Sequence, residues 1–368
     1  MKYKQIMLLV CIITCMLFTF SCVFANDAMN DTISQSDLEA QELPVISSDE
    51  NNTNVIAIDS SSASNVYFDA SATNDGDGSK SNPYKYYKSD RINYGDTAYF
   101  ADGVYDITDS NSIQSSSTYK ITFIGQSVEK TILRSKLTNK FDFTVTADSY
   151  LVLNKLTMIG VHINNQANLI ANNVMFKDSQ GFNTYNNPTL SYSHVSKIYD
   201  SIDGGVIICD TPFNKVTTLN LTDCSFNGNS ASSGGVIAIH NSIANIQNCV
   251  FYNSSAQRFG GAIYSIGSKL NIYDSSFDTN YAKYGGVIYA NDTTLNIKNS
   301  QFTKSQAFSF GGAIASFSSQ LDLNHAVFED YASLNDAGGA IYAIGGTLKA
   351  VYSSFKNGYS DFGGAICN

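Results

Sequence analysis

The feature that most constrains this chain is the placement of its glycines. Gly-Gly pairs begin at 204, 234, 260, 285, 311, 338 and 363, so successive spacings are 30, 26, 25, 26, 27 and 25. Fourteen of the 26 glycines lie in these pairs, which glycine used as filler would not produce. Each pair opens Gly-Gly-Val-Ile (204–207, 234–237, 285–288) or Gly-Gly-Ala-Ile (260–263, 311–314, 338–341, 363–366). Phe226, Phe251, Phe277, Phe302, Phe328 and Phe355 run in phase with them, and Leu219, Ala244, Leu270, Leu295, Leu321 and Leu348 stand seven residues before each Phe. A repeat of this length indicates an array whose units stack along one axis.

The pattern inside a unit selects the kind of array. Ile263-x-Ser265, Leu270-x-Ile272 and Ser275-x-Phe277 each alternate, with polar residues such as Asn271 between the apolar ones. Period two marks a strand with one inward face. The expectation is an all-β chain, a right-handed parallel β-helix of three short strands in each coil of about 25–26 residues. Equivalent residues then stack into apolar ladders with a rise of about 4.8 Å per coil, and no coil buries its face alone. The Gly pair is expected to turn a tight corner with φ > 0. Gly345-Gly346, out of phase with the seven, reads as an ordinary turn. Weaker copies upstream, Leu169 to Phe176 and Leu151 to Met158, predict irregular coils before 204 and regular ones over 204–368.

The ends differ from this rod. Lys2 and Lys4, an apolar run from Ile6 to Phe20 and Val23-Phe24-Ala25 read as a secretory signal over 1–25. Residues 26–64 hold eight acids and no Lys or Arg, and read as an acidic disordered spacer. The rest of the chain, with 20 basic and 24 acidic residues, is nearly balanced, so the net charge of −10 belongs mainly to the spacer. No basic footprint supports nucleic-acid binding. Residues 65–117 read as an N-terminal cap with the first irregular strands, and 118–203 as irregular coils. Phe176 and Gly204 are 28 residues apart, whereas Phe226 and Gly234 are 8 apart, so a lateral loop is placed at 177–203. The chain stops at Gly363-Gly364-Ala365-Ile366-Cys367-Asn368, where a new coil would begin, which reads as an uncapped end open to self-association.

Gly-Gly-Ala-Ile paired with Phe-x-x-Asn, complete at Phe226-Asn227-Gly228-Asn229 and Phe277-Asp278-Thr279-Asn280, resembles the polymorphic outer membrane protein repeat of chlamydial surface proteins and adhesin-like archaeal proteins. Phe302, Phe328 and Phe355 depart from it, with Ser305, Tyr331 and Gly358 in place of the Asn. Val66-Tyr67-Phe68-Asp69, Gly95-Asp96 and Gly103-Val104-Tyr105 resemble the opening of pectin-lyase-like β-helix proteins. The resemblance covers about 65–368 and implies fold and surface location; it does not name a ligand.

Candidate sites are few. Asp75-Gly76-Asp77-Gly78 offers Asp75 and Asp77 as Ca²⁺ ligands, against the simpler reading of a plain turn. The lateral loop carries Phe182, Tyr185, Tyr192, His194 and Tyr199, an aromatic set suited to carbohydrate or protein contact or to packing on the rod. Cys224 and Cys249 share one phase in adjacent coils, which permits a disulfide or two buried thiols. The four Cys beyond the leader form no CxxC, and His162, His194, His240 and His325 are scattered, so neither a metal site nor a cofactor is expected from them. Asn220, in a glycosylation sequon between Leu219 and Leu221, should face solvent. No Asp-Asp pair occurs, and the only Arg are Arg91, Arg134 and Arg258, so no acid–base constellation is visible.

The functional expectation is an exported, non-catalytic surface scaffold of adhesin-like type. It would contact glycans or proteins of other cells and touch membrane only through its leader or an anchor. The competing readings are a polysaccharide lyase or hydrolase and a structural spacer that binds nothing.

Overall fold

The computed structural model describes residues 63–113, 120–138, 140–146, 148–181, 204–210 and 216–368. The leader, nearly all of the acidic spacer and the five aromatic or His residues of the lateral loop lie outside the described residues.

The described chain is a right-handed β-solenoid of about nine turns, all parallel strands and almost no helix. The coil from Gly260 to Tyr284 shows how it is built. Strands Ile263–Ile266, Lys269–Tyr273, Ser276–Asp278 and Tyr281–Ala282 follow one another, separated by corners. Each strand pairs in parallel with its counterpart in the next coil, and Ile263↔Ile288, Leu270↔Leu295, Phe277↔Phe302 and Tyr281↔Gln306 fix the register. A coil therefore has four strands where the hydrophobic pattern suggested three. The fourth, with Ala231, Ala256, Ala282, Ala307 and Ser333 pointing inward, forms a separate narrow sheet.

Each corner needs one left-handed residue, and the sequence supplies it in four ways. Gly260 has φ +61°, Gly267 +58°, Asp274 +51° and Thr279 +58°. At the third corner Asn173, Asp223, Asn248, Asp274 and Asn299 take φ of +51° to +54°, a conformation that Asn and Asp tolerate because their side chains hydrogen-bond locally. Gly345 belongs to the second corner with Asn241, Gly267, Asp292 and Ser318, so Gly345-Gly346 is in phase with a corner and is not an independent turn.

The two glycines of a pair serve different needs. The first is left-handed, with φ between +61° and +71° at 234, 260, 285, 311, 338 and 363. The second has no such φ, but a side chain there would run into backbone. A methyl on Gly261 would lie 2.6 Å from the Tyr281 carbonyl oxygen and nearer still to that of Gly286.

Inside, the ladders are continuous. Phe226 and Phe251 stack at 4.6 Å between ring centroids, Phe251 and Phe277 at 4.6 Å, and Phe277 and Phe302 at 4.9 Å. These rings are wholly buried, and each contributes about 1.5–3 kcal/mol of apolar burial. Polar atoms at the corners are satisfied between coils. The Ser275 hydroxyl accepts from the Cys249 N–H at 3.1 Å, and the Ser300 hydroxyl from the Ser275 N–H at 3.2 Å. Buried Asn280 accepts from the Ser254 N–H at 3.0 Å and donates to the Phe251 carbonyl at 3.0 Å. The Phe-x-x-Asn element is thus a backbone clasp between coils.

The stack begins early. Asn65–Phe68 pairs directly with Thr97–Phe100, so the N-terminal module is the first rung of the rod. At the other interruption the chain keeps register past Lys177: Gln180 bridges Ser230, and the Gly181 N–H donates to the Ser230 carbonyl at 2.7 Å. Residues 178–181, expected in the lateral loop, thus still follow the coil, and 182–203 lie outside the described residues. The chain is back in register at the strand Ile207–Asp210, which pairs with Ile163–Asn165 on one side and Ile237–His240 on the other.

Candidate functional site

Because inward positions are filled, what the rod offers a partner is set by its outward rows. On the face formed by the Leu-bearing strands the outward row is Asn220, Asn245, Asn271 and Asn296. Each amide nitrogen donates to the amide oxygen one coil earlier: Asn245 to Asn220, Asn271 to Asn245 and Asn296 to Asn271, all at 2.8 Å. Asn220 faces outward as its alternation requires, and its side-chain oxygen is engaged in this ladder. Asp322 and Lys349 continue the row as an exposed ion pair at 3.4 Å.

The face formed by the Gly-Gly strands is different. Its outward side carries aromatic rings in two rows. Phe259, Tyr284 and Phe310 stand just before a Gly pair; Tyr264, Tyr289 and Tyr342 stand on the strand after it. They interlock. Phe259 lies 5.6 Å from Tyr264, 5.5 Å from Tyr284 and 4.6 Å from Tyr289. Tyr284 meets Phe310 at 5.7 Å, and Phe310 meets Tyr342 at 4.5 Å. Where the strand row has Ala315, Phe317 bridges the gap, 5.4 Å from Tyr289 and 5.8 Å from Tyr342. The pavement adjoins a second apolar cluster of Ile208, Ala238, Tyr264 and Ile266, separate from the interior core. Most of these rings are half-buried, so part of their surface meets solvent. Arg258 lies over the Phe259 ring at 4.9 Å and Lys283 over the Tyr284 ring at 5.1 Å. A rigid apolar surface edged with cations suits stacking against the C–H faces of sugars or against protein side chains.

The residues singled out from sequence fall as follows. Phe182, Tyr185, Tyr192, His194 and Tyr199 lie outside the described residues. Asp75 and Asp77 each have partners within the protein. Asp75 is held by Arg91 at 2.5 Å and also accepts from the Lys85 N–H at 3.0 Å, and the Arg91 guanidinium lowers its pKa to about 2. Asp77 accepts from the Ser79 N–H at 2.9 Å, within a turn. Cys224 and Cys249 are buried free thiols. The Cys224 sulfur donates to the Thr222 carbonyl and the Cys249 sulfur to the Gln247 carbonyl, each at 3.2 Å. Ser275 makes the same bond to Tyr273, so each Cys takes the part that Ser plays in later coils. The neighbouring Cys224 thiol, and then burial, push the Cys249 thiol pKa far up. Arg134 pairs with Asp106 at 2.7 Å. No cluster of three His, Cys, Asp or Glu suited to a metal occurs among the described residues.

One groove combines charged groups. It measures about 390 Å³, and Glu129, Lys155 and Asp223, from three levels of the stack, line it together with Asn173. Asp223 is tied to the Asn248 amide at 2.6 Å.

No protein-family model, curated protein or solved structure matches the chain.

Proposed function

We propose that this chain is an exported, cell-surface, adhesin-like protein of the polymorphic outer membrane protein repeat type, a non-catalytic rod for contact with glycans, host or neighbouring cells. The observation that carries the reading is the outward aromatic pavement. Part of each ring packs on its neighbours and on the second apolar cluster, and the half-exposed remainder makes a contiguous apolar surface of the kind that marks interaction sites. Affinity per rod would be modest, and many copies on one surface would add avidity.

The test is a glycan and cell-binding screen of the whole chain beside the double variant Tyr284→Ala, Phe310→Ala. Binding by the wild type that falls at least tenfold in the variant, with an unchanged circular dichroism spectrum, is the expected result. Equal binding by both proteins would remove the pavement from the account.

The competing reading, a polysaccharide lyase or hydrolase, keeps one supporting observation: Glu129, Lys155 and Asp223 share a groove. Turnover of an acidic polysaccharide that disappears in Glu129→Gln would favour it.

A further inference from the structure

The face that carries the aromatic pavement holds few charges, and those few are ordered along the rod. Over five successive coils it comprises residues 255–266, 281–291, 306–317, 332–344 and 359–367, which contain four charged residues, Arg258, Lys283, Asp336 and Asp361. Each stands two residues before a Gly pair, and Ser309 fills that position in the middle coil. The row therefore runs Arg, Lys, Ser, Asp, Asp, with cations on one side of a neutral rung and anions on the other. Stacking holds it in line. The Tyr284 N–H donates to the Arg258 carbonyl at 2.9 Å, and the Ser309 N–H to the Lys283 carbonyl at 2.9 Å. The Ser309 hydroxyl donates to Asp336 Oδ2 at 3.1 Å, and the Asp361 N–H to the Asp336 carbonyl at 3.1 Å. Lys283 and Asp361 are exposed and Asp336 is half-buried. Among the described residues none of these three has an ion-pair partner.

Such a row meets its own complement when it is turned end over end. A two-fold axis lying in the contact plane, across the rod at the Ser309 coil, brings Lys283 of one copy to Asp336 of the other and Arg258 to Asp361. Each pairing then occurs twice, as an isologous contact requires. Copies lying in the same direction would bring like charges to the same level, which is disfavoured. The apolar row one residue further on fits the same operation. It reads Phe259, Tyr284, Phe310, Ala337, Phe362. The two-fold sets the Tyr284 ring against the small, buried Ala337 at both places, and Phe310 falls near the axis. Charge order on an apolar face fixes partner, register and direction more than it adds affinity.

We propose that the partner of the pavement is a second copy of this chain, docked face to face and antiparallel over the coils from Arg258 to Asp361. This rests on the reading of the pavement as a contact surface, and it names the occupant. Neighbouring coils are about 4.8 Å apart, so the charges of the two copies meet rung by rung. The apolar centre is framed by the Lys283–Asp336 and Arg258–Asp361 pairs, each made twice. Two rods attached through the same end to facing surfaces meet in this antiparallel sense, which suits contact between like cells.

The test is sedimentation velocity on the whole chain across about 1–100 μM, at low salt and in about 0.5 M NaCl. A reversible dimer is expected, with a dissociation constant severalfold higher in the salt. Lys283→Glu and Asp336→Lys should each weaken it at least tenfold, with an unchanged circular dichroism spectrum. Mixing the two variants should restore the dimer, because the altered position 283 of one copy then faces the altered position 336 of the other, and the second such pair is native. Should Asp336→Lys fail to fold, Arg258→Glu and Asp361→Lys decide by the same restoration. A chain that stays monomeric over this range, a dimer indifferent to Lys283→Glu, or a mixture that stays monomeric overturns the proposal. Failure here is distinct from failure of the adhesive reading. A monomeric chain that binds glycans or other cells through Tyr284 and Phe310 overturns the second copy as partner and keeps the pavement as a contact surface.

Discussion

Replacing Gly261 by Ala tests the account of the Gly pair at its most specific point. Gly261 lacks a left-handed φ, so backbone preference alone tolerates Ala there. Sterics do not: the methyl would sit 2.6 Å from the Tyr281 oxygen and 2.8 Å from its carbonyl carbon, both backbone atoms that no rotamer change can move. Relief requires the coils to part locally, which strains the Gly261 N–H bond to the Gly285 carbonyl, 3.2 Å long. Overpacking costs about 1–3 kcal/mol, and a buried N–H deprived of its partner about 1–3 kcal/mol more. The unfolded chain gives back up to about 1 kcal/mol through lost backbone freedom. The expected net loss is roughly 3 kcal/mol, which with an m-value near ~3 kcal/mol/M moves the urea midpoint down by about 1 M. Gly364 is the control, since a methyl there meets nothing within 4 Å. Gly364→Ala should leave the midpoint unchanged or raise it slightly. Midpoints for the two variants that agree within about 0.2 M would refute the steric explanation.

Other consequences can be checked separately. Asn271→Ala removes two ladder bonds and should destabilise by about 1–3 kcal/mol in the same assay, whereas Lys349→Ala, at an exposed ion pair, should change stability by less than about 1 kcal/mol. Burial pushes the Cys209 thiol up to about 12, so it, Cys224 and Cys249 should resist a thiol reagent in the native chain at pH 8 and react in denaturant. Failure of two thiols to react after unfolding would instead reveal a disulfide. The lowered pKa of Asp75 means that its ion pair with Arg91 stabilises the fold above the ordinary carboxylate range, and that this contribution fades as pH falls from about 4 towards 2. Arg91→Gln should flatten that part of an acid titration of stability.

The axis, the register and three of the four strands are legible in the sequence because their inward residues are large and repeat at fixed phase. The fourth strand is not, since Ala282 and Ala307 are too small to stand out as an apolar row. The third corner could have been found: Asp223, Asn248, Asp274 and Asn299 each precede a small residue that lies two before Phe. The aromatic pavement was also visible, as Phe259, Tyr284 and Phe310 directly before Gly pairs and Tyr264, Tyr289 and Tyr342 after them. Attention to inward ladders hides outward ones, because both have the same period.

The strand Ile207–Asp210 has a further consequence. Its chain is interrupted by insertions on both sides, at 182–203 and 211–215 relative to the next coil, yet it keeps register with the strands above and below. Its place is fixed by neighbours across the stack, and covalent continuity along the chain adds little. The rod is therefore indivisible as a stack but divisible as a polypeptide. A cut between Gly181 and Gly204 should leave two pieces that remain zipped together, and foreign sequence inserted there should be carried on the rod without disturbing its rungs. In this sense the molecule behaves as a mast with a built-in mounting point.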